Sequence, residues 1–185
     1  MNKQQLLDQL KQKMLSSDLP FKDTAKNLVF GEGNPDAKIL FLGEAPGRNE
    51  DETGKPFIGQ AGNILSQLLE GIGIKREDVF ISSVLHYRPP KNRDPKPTEI
   101  EIESSFVDEQ IKIIDPKIII PLGRHSMKKF LPTETIGTTH GKPFKIKWNG
   151  IERIIIPMYH PAAVLYRRDL LKTLEEDFKK ISEHL

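Results

Sequence analysis

No cysteine occurs anywhere in the 185 residues. Disulfides, thiolate metal sites and cysteine-held iron–sulfur clusters are therefore excluded together. Long apolar runs are missing as well, and nothing approaches the roughly 18 residues needed to cross a bilayer. The opening stretch, MNKQQLLDQLKQKMLSS, carries no apolar block of the signal-peptide kind. A cytoplasmic protein with no membrane contact is the expectation. Histidine is sparse, at positions 86, 125, 140, 160 and 184. Neither HExxH nor close ligand spacing groups these histidines, so no metal is expected. The glycines form no GxGxxG, and no Lys-Ser/Thr pair completes a P-loop, so a nucleotide cofactor has no support. No other cofactor is expected either. Net charge is only +2, from 28 basic and 26 acidic side chains. A field that small says little about nucleic acid, and local charge distribution is the better guide.

Length and an apolar share of 37% suit one compact domain spanning 1–185, with 1–28 as an N-terminal helix and connecting loop. Leu6, Leu7, Leu10 and Met14 mark a stripe on that first helix. Thereafter strand-type apolar runs alternate with helical patterns. KILFLG, DVFISSV, PKIIIPLG and RIIIPMYHP read as strands. NILSQLLEGIG, TEIEIESSFVDEQIKII (with Thr98 as its cap), RHSMKKFL and DLLKTLEEDFKKISEHL read as helices. The order predicts an α/β fold, a three-layer α/β/α sandwich around a four-stranded, mainly parallel sheet. In such folds ligands sit beyond the C-terminal ends of the strands. Unusual loops follow three of the four strands, from Gly43, His86 and His160, and their convergence is the main pointer to a site.

Each loop admits more than one use. In GEAPGRNEDETGKPFIGQAG, Gly43 and Gly47 permit close backbone approach, and Glu44 stands just past the strand. Phe57 is a lone ring in a polar loop, either a core plug or a stacking platform for a flat ligand. RPPKNRDPKP sets Arg88, Lys91, Arg93 and Lys96 against one acid, Asp94. Its prolines hold the backbone extended, which suits phosphate contact, although a solvated surface loop has the same composition. Lys142, Lys145, Lys147 and Arg153 form a second basic group, which either widens the positive face or marks the outside of a hairpin. His160 precedes Pro161 directly after a strand, a place open to a structural or a catalytic histidine. Arg167 and Arg168 either reach a phosphate or pair with acids on the last helix.

These segments, in this order, resemble the uracil-DNA glycosylase superfamily, and within it the bacterial and archaeal family 4 group. The likeness runs from about Val29 to Asp177 and is carried by GEAPG…ED…G.PF.G.AG joined to RPP.NR.P.P.E, PKIIIPLG and YHPAAVL. The resemblance implies a monofunctional DNA glycosylase of base excision repair that flips deoxyuridine out of DNA and hydrolyses the bond between base and sugar. It assigns catalysis to Glu44 and His160, and base binding to Gly43, Ala45, Phe57 and Ser83. The family's duplex-entering loop falls on about 161–168, with Ala163, Arg167 and Arg168, and the charge of the basic loop adds Arg88, Lys91 and Arg93 as expected DNA contacts. The implied partner is DNA containing uracil or another deaminated base, met by a monomer. Two departures stand out. The family's iron–sulfur cysteines are missing, with Tyr87 in one such place and none near 16–20 or 102–105. The uracil-reading asparagine is Ser83, a change that admits hypoxanthine or xanthine as alternative bases. A DNA-binding module without chemistry and a metal-dependent nucleotide hydrolase are the readings from other classes.

Overall fold

A computed structural model describes the whole chain, residues 1–185. Its elements in order are α1 (Lys3–Ser16), β1 (Glu32–Gly33), β2 (Ile39–Gly43), α2 (Arg48–Thr53), α3 (Gln60–Gly71), β3 (Phe80–Ser83), α4 (Pro97–Ile114), β4 (Ile118–Pro121), α5 (Arg124–Lys128), α6 (Ile136–Thr139), β5 (Phe144–Trp148), β6 (Ile151–Ile155), α7 (Ala163–Tyr166) and α8 (Leu170–Lys179). The strands form one mixed sheet in the order β1-β3-β2-β4-β6-β5. Its four inner strands, β3, β2, β4 and β6, run parallel. The two edges, β1 on β3 and β5 on β6, are antiparallel.

The expected four-stranded, mainly parallel sheet is thus corrected to a mixed sheet of six strands. Both missed strands are edges, and edges have weak signatures. β1 is only two residues long. β5, FKIKW, alternates half-buried and exposed residues rather than running apolar. A two-residue turn joins it to β6, with Asn149 and Gly150 both at positive φ (48° and 84°), as a type I′ hairpin requires. Lys145 and Lys147 therefore face solvent on an edge strand, where lysine discourages pairing with other chains.

Every residue of β2 and β4 is buried, because helices cover both faces of the sheet. On one face Leu40, Leu42 and Ile119 meet Leu7, Leu10 and Met14 of α1 and Val107, Ile111 and Ile114 of α4. On the other, Ile39, Phe41, Ile118 and Ile120 meet Leu65, Leu68 and Leu69 of α3 and Leu174 and Phe178 of α8. Alternation along β2 sends Ile39 and Phe41 one way and Leu40 and Leu42 the other, as the strand period of two dictates. α1 starts with a reciprocal cap in which Asn2 accepts from the Gln5 amide and Gln5 accepts from the Asn2 amide. α4 begins one residue before Thr98, at Pro97. Its cap position is Lys96, whose amide donates to Glu99 at 2.7 Å. Proline at the first helical position loses no hydrogen bond, so it starts the helix. No helix is long and apolar enough to cross a membrane.

Candidate active site

The parallel strands all end at one rim. β2 leads to Gly43 and Glu44, β3 to Ser83, β4 to Gly123, and β6 through Met158 to His160. Backbone bonds lock these ends together: Val84 N–H donates to the Gly43 carbonyl and Leu85 N–H to that of Glu44, each at 3.0 Å, and Gly123 N–H to Met158 at 2.8 Å. Between them lies a cavity of about 200 Å³ lined by Glu44, Ala45, Phe57, Ser83, Arg93 and His160 among others.

Phe57 is held there under strain. Its φ is +48°, an uncommon conformation for a bulky residue. Four groups hold it there. Arg76 donates to the carbonyls of Phe57 (2.8 Å) and Pro56 (2.5 Å). Glu50 accepts from the amides of Ile58 and Gly59 with one oxygen, both at 3.0 Å, and from Gly47 with the other at 3.1 Å. Gly62 permits the first turn of α3 to press on this loop, since a Cβ there would stand 1.9 Å from the Phe57 carbonyl oxygen. Gly43 lies beneath the ring, where a Cβ would meet it at 2.6 Å. Next to Glu50, Asp51 is buried and accepts from the amides of Lys26 and Asn27.

The His160 ring stacks toward Phe57, with centroids 5.5 Å apart and planes at 26°. Its Nδ1 accepts the Ala162 amide at 3.1 Å. An accepting Nδ1 puts the proton of the neutral ring on Nε2. Burial pushes this imidazole down to about 4, against a smaller opposing effect of Glu50, so at neutral pH it is an uncharged donor. Glu44 is half-buried, and burial pushes its carboxyl up to about 7. Asp94 adds to the rise and Arg124 opposes it. No protein group hydrogen-bonds the carboxylate. The nearest cationic candidate, His125 Nε2, stands 3.8 Å away. Single donor atoms of Glu44, Asp94 and His125 lie within 4.8 Å of one another, but the cation among them is the protein's own. Arg124 Nη2 donates to Asp94 at 2.5 Å and Nε to His125 Nε2 at 3.3 Å.

Of the residues singled out from sequence, Glu44, Ala45, Phe57, Ser83, Arg93 and His160 line the cavity, and Gly43 underlies it. The others lie outside it. Arg88 donates to Asn92, itself a lining residue. Lys91 is exposed. Arg93 is engaged already, in a two-bond pair with Glu99 and over the Phe21 ring. Ala163 opens α7, next to the lining residue Ala162. Arg167 pairs with Asp169, and Arg168 faces solvent. Sequence reasoning gave no site role to Glu50, Arg76, Asp94, Arg124 or His125. Only Glu50, three residues after Gly47, had a local signal, the spacing of a helix cap.

The profile of the uracil DNA glycosylase superfamily matches residues 30–185. A type-4 uracil-DNA glycosylase from Sulfurisphaera tokodaii is 50% identical over 163 residues, covering 85% of this chain and 74% of the relative. One from Saccharolobus solfataricus is 49% identical over 166 residues, covering 86% and 77%. A third, from Archaeoglobus fulgidus, is 46% identical over 165 residues, covering 86% and 83%.

Proposed function

The chain belongs to the uracil-DNA glycosylase superfamily, and we propose that it hydrolyses the N-glycosidic bond of deoxyuridine in DNA, as the first step of base excision repair. It is a DNA-binding hydrolase. The observation that carries the reading is the meeting of Glu44, Phe57 and neutral His160 over one cavity.

Chemistry follows from those groups. An extruded uracil stacks on the Phe57 face. As the C1′–N1 bond breaks, its electron pair spreads onto the base, and negative charge grows on O2. His160 Nε2–H donates to that oxygen as a dipole fixed in place before the charge develops. The sugar becomes cationic, and the Glu44 carboxylate stabilises it and takes the proton of the attacking water, whose oxygen bonds to C1′. Tyr166, 88% exposed at the end of α7, and Leu165 press into the duplex and fill the place of the departed base. Arg88, Lys91 and Arg168 meet the phosphates. On this reading the chain acts as a monomer.

An iron–sulfur cluster does not fit. The chain has no cysteine. Around Tyr87 and the 102–105 stretch the space is filled by a buried network. Glu103 accepts from His86 Nδ1 at 2.6 Å and from the His86 amide at 3.0 Å. Ser82 and Gln110 both donate to the Phe30 carbonyl.

Ser83 favours a second substrate beside uracil. Its hydroxyl lines the cavity without a protein partner. A rotating hydroxyl gives or takes a hydrogen bond, whereas an amide presents a fixed donor and acceptor. Hypoxanthine and xanthine are accordingly within its reach. Incubation with single-stranded and duplex oligonucleotides carrying uracil, hypoxanthine or xanthine, then alkaline cleavage, tests the function. Strand breaks at uracil are expected, lost in His160→Ala while DNA binding persists. Absence of breaks at all three bases overturns it.

A further inference from the structure

Resting on the glycosylase reading, we propose that His125 is a positioning residue for Glu44, receiving on Nε2 the proton that Glu44 takes from the attacking water and passing it to solvent. His125 stands behind the carboxylate, 3.8 Å from its Oε2, and Asp94 Oδ2 lies 3.9 Å from the same ring nitrogen. Its other side lines a separate cavity of about 290 Å³ with Glu101, Lys128 and Lys129. The imidazole thus stands between Glu44, which lines the catalytic cavity, and an outer cavity. No protein group hydrogen-bonds the Glu44 carboxylate, and His125 is the neighbouring base on the side away from the substrate cavity.

The balance is complete without a further reactant. Water oxygen bonds to C1′ as C1′–N1 breaks with its electron pair on the base. One water proton goes to Glu44 Oε2, then to His125 Nε2, then outward. In the resting state Nε2 accepts a long 3.3 Å bond from Arg124, which marks it as the unprotonated nitrogen. Arg124 is 62% exposed and already holds Asp94 at 2.5 Å. Swinging fully onto Asp94 frees Nε2, and a side-chain shift of about 1 Å brings it within hydrogen-bond reach of Glu44. The charged groups facing the ring are Glu44, Asp94, Arg124 and Lys128. Burial, foremost, and Arg124 lower the basicity of His125, so the proton passes through the ring and does not stay on it.

The test is multiple-turnover excision, in which Glu44 must shed its proton before each new cycle, from a single-stranded uracil oligonucleotide by the wild type, His125→Ala and His125→Gln, from pH 6 to pH 9, with and without imidazole. Both variants should bind DNA as the wild type does and excise about tenfold more slowly near neutrality. The deficit should shrink toward pH 9, where hydroxide accepts the proton, and free imidazole should restore His125→Ala. His125→Gln keeps the bulk and polarity of the site if the alanine variant folds poorly. A wild-type rate in either folded variant, or a loss that neither pH nor imidazole changes, overturns the relay and leaves the glycosylase reading standing. A wild type that leaves uracil in place overturns both.

Discussion

Replacing Glu103 by alanine removes the acceptor at the centre of the network that occupies the place of the family's cluster. Glu103 and His86 are both fully buried. One carboxylate oxygen accepts from the His86 ring and from its backbone amide. Alanine orphans both donors where no water reaches them, and each stranded donor costs about 1–3 kcal/mol. Breaking a buried pair from one side costs about 3–5 kcal/mol in comparable cases. A loss of about 4 kcal/mol is expected, which for a chain of this size lowers the melting temperature by on the order of 10 °C. Urea and thermal unfolding followed by circular dichroism measure it. The double variant His86→Leu/Glu103→Leu separates pairing from packing. Two apolar side chains replace a buried pair at little cost, so the double variant should be more stable than Glu103→Ala alone. A Glu103→Ala protein within about 1 kcal/mol of the wild type refutes the idea that this pair holds the β3–α4 edge together.

Five further outcomes are expected. With Glu44 raised to about 7, its ionised share grows about tenfold between pH 6 and 8, and the single-turnover rate should follow, while His160, at about 4, stays neutral throughout. A flat profile contradicts the role of Glu44. The same shifts act on stability with opposite signs: the unfolded chain binds more protons at His160 between about 4 and 6.5, so that contribution rises with pH, whereas the folded chain binds more at Glu44 between about 4.5 and 7, so that one falls. Titrated urea midpoints of His160→Ala and Glu44→Gln against the wild type separate the two. Ser83→Asn should raise the excision ratio of uracil over hypoxanthine about tenfold or more, measured by competition on mixed oligonucleotides. Arg76→Ala frees the Phe57 carbonyl and should slow excision while leaving salt-dependent DNA binding intact; equal rates count against strain at Phe57 being useful. Tyr166→Ala should impair excision from duplex about tenfold more than from single strands, the scale of one lost base–aromatic stack; equal impairment of both assigns Tyr166 elsewhere.

The inner sheet was legible because buried parallel strands are short continuous apolar runs, and ILFLG and IIIP are little else. The edges were not, for the complementary reason. β5 hides as an alternation of lysines with half-buried residues, and β1 is too short to carry any period. The start of α4 shows a local rule misapplied: Thr98 looked like a cap, but Pro97 ahead of it supplies a ready-made first helical residue and moves the boundary back.

At the site, sequence order located the rim, because parallel strands must deliver their C-terminal ends together. It pointed to Glu44, Phe57 and His160, which line the cavity, while Ser83 came only from the family resemblance. The residues that hold them were out of its reach, since their partners are distant in the chain. Arg76 grips carbonyls 19 and 20 positions away, and Arg124 reaches Asp94 across 30. The pairing within the basic loop was hidden in a related way. Arg93 counts as a free positive charge in the sequence, yet both of its terminal nitrogens donate to Glu99. Charge that is already paired releases fewer counterions on meeting phosphate. On the proposed reading the phosphate grip falls to Arg88, Lys91 and Arg168, while the Arg93–Glu99 pair braces the loop. Counting basic residues measures the potential of a loop, and only the pairing decides which charges stabilise the protein and which remain for DNA.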